Sequence, residues 1–210
     1  MELKEVNSLV ELFFEKYKEK KDLTNQPFLK WLKTGENDFL TWEQVRNNIF
    51  LFSEYLSKSL SKGDRCVLLS ENRPEWLIAD IAIMNAGGVT VPLFTTYSEK
   101  DYEYIINDCR PKICIISNDI QFKKIEKFIS SETKVISIEN FNQKIKSIET
   151  ILEKNPKKET INISENFNDK ILRKDLACII YTSGTTGNPK GVMLSHGGIL
   201  SNCEGAQEIL

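Results

Sequence analysis

Between positions 181 and 191 the chain reads Tyr181-Thr-Ser-Gly-Thr-Thr-Gly-Asn-Pro-Lys-Gly191, a stretch rich in groups that bind phosphate. Its glycines permit backbone angles at which several main-chain N–H groups can converge on one anion. Lys190 adds an ammonium group, and four further residues add hydroxyls: Thr182, Ser183, Thr185 and Thr186. The stretch therefore predicts a phosphate-binding loop, although its composition alone leaves a polar surface turn as the alternative.

A short run of apolar residues lies on either side of this loop. Residues 176–180 form an apolar run, which predicts a buried strand that ends where the loop begins. Pro189 disfavours helical angles at the residue before it, so the apolar residues 192–194 are predicted to form a second strand. A Walker A loop has a different glycine spacing and opens a helix. The predicted phosphate-binding loop therefore lies between two strands.

Upstream of the loop, short apolar runs alternate with helical patterns. A helix is predicted near the amino terminus, and another begins at a capping box of Thr41 and Gln44 and carries an apolar stripe that ends at Leu60. Further strands are predicted at 66–69, 89–91, 113–116 and 135–138, and further helices at 75–85, 98–107, 122–129 and 197–210. Strands separated by helices predict an α/β fold, doubly wound in style, with a mostly parallel sheet flanked by helices. Residues 141–175 are predicted to be a polar surface connector that includes one helix.

The composition describes an ordinary globular protein. The 210 residues are 40% hydrophobic and carry a net charge of -2, so no uniform basic surface is expected to bind nucleic acid. Five cysteines stand singly, without metal-ligand spacing, and are predicted to be reduced, buried thiols. The sequence shows no signal peptide and no apolar run long enough to span a membrane. We expect a cytoplasmic location, with peripheral membrane association as an open alternative.

The loop closely resembles the signature loop of the adenylate-forming superfamily, which includes acyl-CoA synthetases, luciferases and the adenylation domains of peptide synthetases. The superfamily pattern is a hydroxyl-rich pair followed by Gly-Thr-Thr-Gly, any residue and Pro-Lys-Gly, and residues 182–191 match it throughout. Five further segments resemble, in their order and spacing, landmarks of long-chain fatty acyl-CoA synthetases: 62–65, 71–76, 86–93, 95–97 and 104–108.

Several residues in these landmark segments have structural explanations, which we favour over catalytic ones. Gly63 is predicted to stop a helix, Pro74 to start one and Pro92 to end a strand. Gly87 and Gly88 are predicted to form a turn. Asp108 is predicted to be a helix-end residue rather than an acid.

The resemblance implies an AMP-forming acid:CoA ligase of the long-chain fatty acyl type. A fatty carboxylate would attack the α phosphorus of ATP, which is bound with Mg²⁺, and CoA would then displace AMP to give a thioester. The loop would hold the β and γ phosphates through Thr182, Ser183, Gly184, Thr185, Thr186, Gly187 and Lys190. Lys190 would also offset charge during catalysis, and Thr182 would contact the Mg²⁺ ion. The loss of one such donor would raise the barrier by roughly 3 kcal/mol.

The only histidine, His196, follows Ser195 directly, and this pair does not predict a hydrolase because adjacent residues on a strand point to opposite faces. The resemblance implies that His196 positions the helix that begins there. Gly197 and Gly198 depart from the superfamily, in which many members have a basic residue and Asn after this histidine.

The superfamily's later motifs, which contact adenine, ribose and metal, do not occur before Leu210. Residues 1–210 are therefore predicted to be the N-terminal part of a longer adenylation domain, unable to complete adenylation alone. Two alternatives stay open: an adenylating enzyme for another carboxylic acid, and a non-catalytic nucleotide-binding or partner-binding module.

Overall fold

Nine strands and seven α-helices follow one another in a computed structural model, which describes residues 5–19, 25–33, 36–153, 168–182 and 188–209. The helices are α1 (Leu9–Glu19), α2 (Trp42–Ser57), α3 (Pro74–Asn85), α4 (Glu99–Cys109), α5 (Asp119–Ile125), α6 (Ile148–Glu153) and α7 (His196–Ile209). The strands are β1 (Pro27–Lys33), β2 (Glu36–Thr41), β3 (Arg65–Leu69), β4 (Val89–Leu93), β5 (Ile113–Ile116), β6 (Lys134–Ser137), β7 (Lys146–Ser147), β8 (Leu176–Thr182) and β9 (Lys190–Ser195).

Seven of the strands form one sheet in the order β7-β6-β5-β3-β4-β8-β9. Adjacent strands in this sheet are parallel, except that β9 is antiparallel to β8. The strands β1 and β2 form a separate antiparallel pair. The predicted α/β class, with a mostly parallel sheet flanked by helices, is therefore confirmed.

Alternation of side chains along β3 divides the core between the two faces of the sheet. Cys66 and Leu68 pack in one cluster with buried residues of α1, α2 and α3. Val67 and Leu69 pack in a second cluster with buried residues of α4 and α5. Because both faces of β3 are covered, the strand is apolar along almost its whole length, which is typical of a parallel sheet.

The predicted helix signals are largely confirmed. The side chain of Thr41 accepts the Gln44 N–H and the side chain of Gln44 accepts the Thr41 N–H, which completes the capping box of α2. Pro74 is the first residue of α3. The helix α2, however, ends at Ser57, so buried Leu60 lies beyond it.

Gly63 does not stop α2, and that prediction is wrong. Gly63 lies in the turn before β3, with a φ of 86°, and its N–H donates to the Gly87 carbonyl at 2.9 Å. Gly87 also has a positive φ, of 84°, as expected of a turn glycine. The two glycines thus bring the turns that precede β3 and β4 together at one edge of the sheet.

Pro92 lies inside β4, so the prediction that it ends the strand is also wrong: β4 continues to Leu93, and Pro92 stands opposite Leu68 of β3. The N–H of Val89 donates to the Asp64 carbonyl, on the β3 side of the strand. Because the direction of the backbone N–H and C=O groups alternates along a strand, those of Thr90 and Pro92 point toward β8. Proline has no N–H to donate. The backbone pairing of β4 with β8 accordingly consists of one residue pair, Thr90 and Cys178.

The segment predicted as a polar connector contains β7 and α6, and residues 154–167 of it lie outside the described part of the chain. The strand β7 pairs with β6 at the edge of the sheet, and it was not predicted. Ile148 and Ile151 of α6 are buried in the core, so α6 does not lie free on the surface.

The five cysteines are unpaired, as predicted. Cys66, Cys109 and Cys114 are buried, and burial raises the pKa of each thiol, to about 12 for Cys109. Cys203 of α7 is exposed, contrary to the expectation that the thiols are buried. Among the described residues, no helix has the length and apolar character needed to cross a bilayer.

Candidate phosphate-binding site

The predicted loop connects β8 to β9, which pair as an antiparallel hairpin. Thr182 is the last residue of β8, Lys190 is the first residue of β9, and the two are partners in the register. Directly opposed residues of an antiparallel pair project from the same face of the sheet. The structure therefore brings the hydroxyl of Thr182 and the ammonium of Lys190 to one face at the base of the loop, where both residues are exposed.

The other predicted phosphate-binding residues, Ser183, Gly184, Thr185, Thr186 and Gly187, lie outside the described residues. Their roles stay predictions. The loop itself leaves the carboxyl end of β8, at the same edge of the sheet as the carboxyl ends of β3, β4 and β5. In open α/β sheets, ligands bind in crevices at this edge.

Gly191, the last glycine of the stretch, is required by packing rather than by a left-handed backbone. It stands opposite Tyr181 in the hairpin. A Cβ atom at this position would lie 2.9 Å from Cγ2 of Ile179 and 3.1 Å from Cζ of Tyr181. The glycine thus leaves room for the tyrosine ring beside the base of the loop.

Tyr181, the residue just before Thr182, is held by two hydrogen bonds to distant parts of the chain. Its side chain is 3% exposed, and its hydroxyl donates to the Asp108 carboxylate at the end of α4. Its carbonyl accepts a hydrogen bond of 2.9 Å from the Tyr97 hydroxyl. Burial and the neighbouring Asp108 carboxylate raise the pKa of Tyr181, so its hydroxyl keeps its proton.

Sequence reasoning identified neither partnership. Asp108 was assigned only to a helix end, and residues 95–97 were noted only as a landmark. The two partners lie 73 and 84 positions from Tyr181, and no local pattern reports contacts over that separation.

Residues 94–97, which follow β4, are hydrogen-bonded to the helices α4 and α5. The Tyr102 hydroxyl donates to the Phe94 carbonyl and the Lys124 ammonium donates to the Thr95 carbonyl, each at 2.8 Å. The Phe94 side chain is nevertheless 63% exposed, in edge contact with the Tyr97 ring. A fixed backbone therefore presents an exposed aromatic ring beside the hairpin.

The sequence profile of the AMP-binding enzyme family matches residues 14–209, which include the sheet and the hairpin. This chain belongs to the AMP-binding enzyme family. Fatty acyl-CoA synthetase A of Dictyostelium discoideum is 31% identical over 196 residues, which are 83% of this chain and 27% of that protein. The Gallus gallus long-chain-fatty-acid–CoA ligase ACSBG2 is 32% identical over 181 residues, 78% of this chain and 22% of that protein.

Solved structures support the same membership. A fatty acyl-adenylate ligase from L. pneumophila, in complex with acyl adenylate and pyrophosphate, superposes with a TM-score of 0.68 at 25% identity. The match covers 95% of this chain and 32% of that one. The chain thus spans about a quarter of the length of the curated relatives and about a third of that solved structure.

In this AMP-binding enzyme, His196 lies at the end of β9 remote from the loop and has a structural role. It is the first residue of α7, as the sequence implied, and is 1% exposed. Its Nδ1 accepts the Leu9 N–H at 3.3 Å, and its own N–H donates to the Asp175 carbonyl. Burial lowers the pKa of His196 to about 4. The neutral imidazole therefore joins α1 to the start of α7.

Asp80 of α3 and Cys178 of β8 are half-buried electrostatic neighbours that sequence reasoning did not single out. Burial raises the pKa of Asp80 to about 6, and burial together with the Asp80 charge raises the pKa of Cys178 to about 11. At neutral pH the Cys178 thiol is therefore protonated.

No group of three or more His, Cys, Asp or Glu side chains that could hold a metal ion occurs in the described ranges. Thr182 supplies one hydroxyl, whereas a nucleotide-bound Mg²⁺ ion is ordinarily held by one or two carboxylates, a Ser or Thr hydroxyl and the substrate phosphates. The assignment of Thr182 as a Mg²⁺ contact stays a prediction.

Proposed function

We propose that this chain supplies the ATP phosphate-binding part of an AMP-forming acid:CoA ligase that activates long-chain fatty acids. The observation that carries the proposal is the pairing of Thr182 with Lys190 at the base of a hairpin loop, at the carboxyl edge of the sheet. Membership in the AMP-binding family and the likeness to fatty acyl-CoA ligases support it.

In the proposed reaction, a carboxylate oxygen attacks the α phosphorus of ATP, the bond to the bridging oxygen breaks, and pyrophosphate leaves with that electron pair. Negative charge therefore gathers on the departing phosphates. Lys190 is exposed and places an ammonium group where it can offset that charge, while Thr182 offers a hydroxyl as a hydrogen-bond donor. The thiol of CoA then displaces AMP from the acyl adenylate, which gives the thioester.

Lys190→Ala is expected to weaken ATP binding about tenfold, because a hydrogen bond to a charged phosphate is worth about 1.4 kcal/mol or more. Isothermal titration of ATP into the 210-residue chain measures this change. Lys58→Ala is the matched control, since it removes the same charge from an exposed residue at the end of α2. An equal ATP affinity in Lys190→Ala and the unmodified chain would contradict the proposed role of Lys190.

The acid class is tested by ATP–pyrophosphate exchange with a panel of fatty, aromatic and amino acids, on this chain and on any longer product of the same locus. Exchange that depends on long-chain fatty acids supports the proposal. Exchange with another acid would favour a different adenylating enzyme. ATP binding without exchange in either protein would favour a non-catalytic nucleotide-binding module.

A further inference from the structure

We propose that Tyr97 and Asp108 are positioning residues, which hold Tyr181 and thereby place the Thr182–Lys190 pair at the base of the phosphate-binding hairpin. This inference rests on the proposed function, because it concerns how the same loop is held for ATP. Neither residue lies in the loop, and neither is needed to contact a phosphate. Each acts on the residue that immediately precedes Thr182.

The register between β4 and β8 is short. The strands pair at Thr90 and Cys178, and the next β4 residue whose backbone faces β8 is Pro92, which has no N–H to donate. The pairing of β4 with β8 is therefore shorter than its five-residue pairing with β3. Side-chain bonds to the end of β8 add to this short pairing.

The Tyr97 hydroxyl supplies one such side-chain bond. Tyr97 lies on the segment that follows β4, and its hydroxyl donates to the Tyr181 carbonyl at 2.9 Å. The segment that carries Tyr97 is itself anchored, since the Tyr102 hydroxyl donates to the Phe94 carbonyl and the Lys124 ammonium donates to the Thr95 carbonyl. The segment after β4 thus holds the end of β8 through a side-chain hydrogen bond.

Asp108 holds the side chain of Tyr181, whereas Tyr97 holds its main-chain carbonyl. It accepts the Tyr181 hydroxyl, and a hydrogen bond to a carboxylate is stronger than one between neutral groups. The ring that carries this hydroxyl fills the space left by Gly191 on β9. Tyr181 is therefore fixed from β4, from α4 and from β9. Because Thr182 follows it directly, a shift of Tyr181 would move the Thr182–Lys190 pair.

The test begins with Tyr97→Phe in the 210-residue chain, which keeps the ring and removes the hydroxyl. Amide hydrogen exchange of residues 182–191, measured without nucleotide, is expected to become about fivefold faster, as the loss of one hydrogen bond implies. Asp108→Ala, a change at an exposed residue, is expected to loosen the same segment. Unchanged exchange of this segment in both variants would overturn the proposal.

The matched control is Thr133→Val, which also removes a hydroxyl bonded to a main-chain carbonyl at 2.9 Å, but that carbonyl belongs to Pro111, just before β5, and not to β8. If Thr133→Val loosens residues 182–191 as much as Tyr97→Phe does, the effect comes from a general loss of stability, and the specific role of Tyr97 is overturned.

Titration with ATP separates this inference from the proposed function. Where the unmodified chain binds ATP, Tyr97→Phe is expected to raise its dissociation constant about fivefold and Thr133→Val to leave it within twofold. Faster exchange with unchanged ATP affinity would overturn the claim that this geometry serves ATP. If neither the unmodified chain nor a longer product of the same locus binds ATP, the proposed function fails, while the exchange result still decides whether Tyr97 and Asp108 position the base of the hairpin.

Discussion

Acidification from pH 7 to pH 4 is expected to lower the free energy of unfolding by about 3 kcal/mol through His196 alone. Burial lowers the pKa of this imidazole from an ordinary value of 6.5 to about 4. The unfolded chain therefore binds the proton more readily than the folded one. The stabilisation by neutral His196 is complete above pH 6.5, declines as the pH falls from 6.5 to 4, and changes no further below that; each pKa unit is worth about 1.4 kcal/mol.

Protonation also abolishes a hydrogen bond. The Nδ1 atom of His196 accepts the Leu9 N–H, and an imidazolium would present a second N–H to that donor instead. Urea unfolding at several pH values between 4 and 7.5 measures the effect. His196→Asn is the comparison, since the amide oxygen can accept the same N–H but does not titrate. A pH dependence that is the same in both proteins would contradict the assignment.

Asp80 changes the stability in the opposite direction to His196 over part of this pH range. The informative quantity is therefore the difference in the free energy of unfolding between the unmodified chain and His196→Asn at each pH. Burial raises the pKa of Asp80 from 3.8 to about 6. Its contribution to stability is therefore present below pH 3.8 and is lost as the pH rises toward 6. In Asp80→Asn this opposing change is absent, and acidification is expected to destabilise that variant more steeply than the unmodified chain.

Gly197→Ala is expected to lower the free energy of unfolding by about 2–3 kcal/mol, because its added Cβ overlaps main-chain atoms. That Cβ would lie 2.9 Å from the Arg173 carbonyl oxygen, the same oxygen that accepts the Gly197 N–H at 2.7 Å. The segment around Arg173 cannot move away freely, since the Arg173 guanidinium donates to the Val6 carbonyl at 2.8 Å.

Gly205→Ala is the matched control for Gly197→Ala, since it is the same substitution in the same helix, α7. At Gly205 a Cβ would have no heavy atom within 4 Å. Alanine there is expected to stabilise the chain by about 0.5–1 kcal/mol, because it favours helix. Thermal unfolding of both variants measures the contrast. Equal effects of the two substitutions would show that helix propensity, and not the Arg173 contact, decides the outcome at Gly197.

The close approach to Arg173 also explains why a glycine follows His196 here. The superfamily resemblance leads one to expect a basic residue and Asn after the histidine, and this chain has Gly197 and Gly198 instead. Gly197 is fixed by the main chain of a neighbouring segment, whereas a Cβ at Gly198 would meet only the Ser195 hydroxyl, at 3.4 Å. The departure at Gly197 is therefore a packing requirement of this structure.

Features that depend on neighbouring residues could be predicted from the sequence. The capping box of Thr41 and Gln44, the start of α3 at Pro74 and the apolar strands β3 and β5 all follow from patterns a few residues long. The position of the loop between two strands, β8 and β9, likewise follows from the apolar runs on either side of it. These predictions held because local stereochemistry decides them.

Features that depend on distant partners could not be predicted in this way. A proline is expected to end a strand, yet β4 continues through Pro92 to Leu93, because the pairing with β3 that extends it does not need an N–H at Pro92, which would face β8. The two-residue strand β7 is too short to leave a periodic pattern, and it exists because β6 offers a free edge. The bonds of Tyr181 to Tyr97 and Asp108 arise only when separate parts of the fold meet.

The bonds that join the two ends of the described chain also bear on the order of folding during synthesis. The Leu9 N–H can bond His196 only after a further 187 residues have been added, and the Val6 carbonyl can bond Arg173 only after a further 167. At a translation rate of about 5–20 residues per second, the His196 bond cannot form until roughly 10–40 s after Leu9 has been added. These contacts of residues 6–9 are therefore among the last within the described residues to form during synthesis, although residues 6–9 are among the first of them to be made.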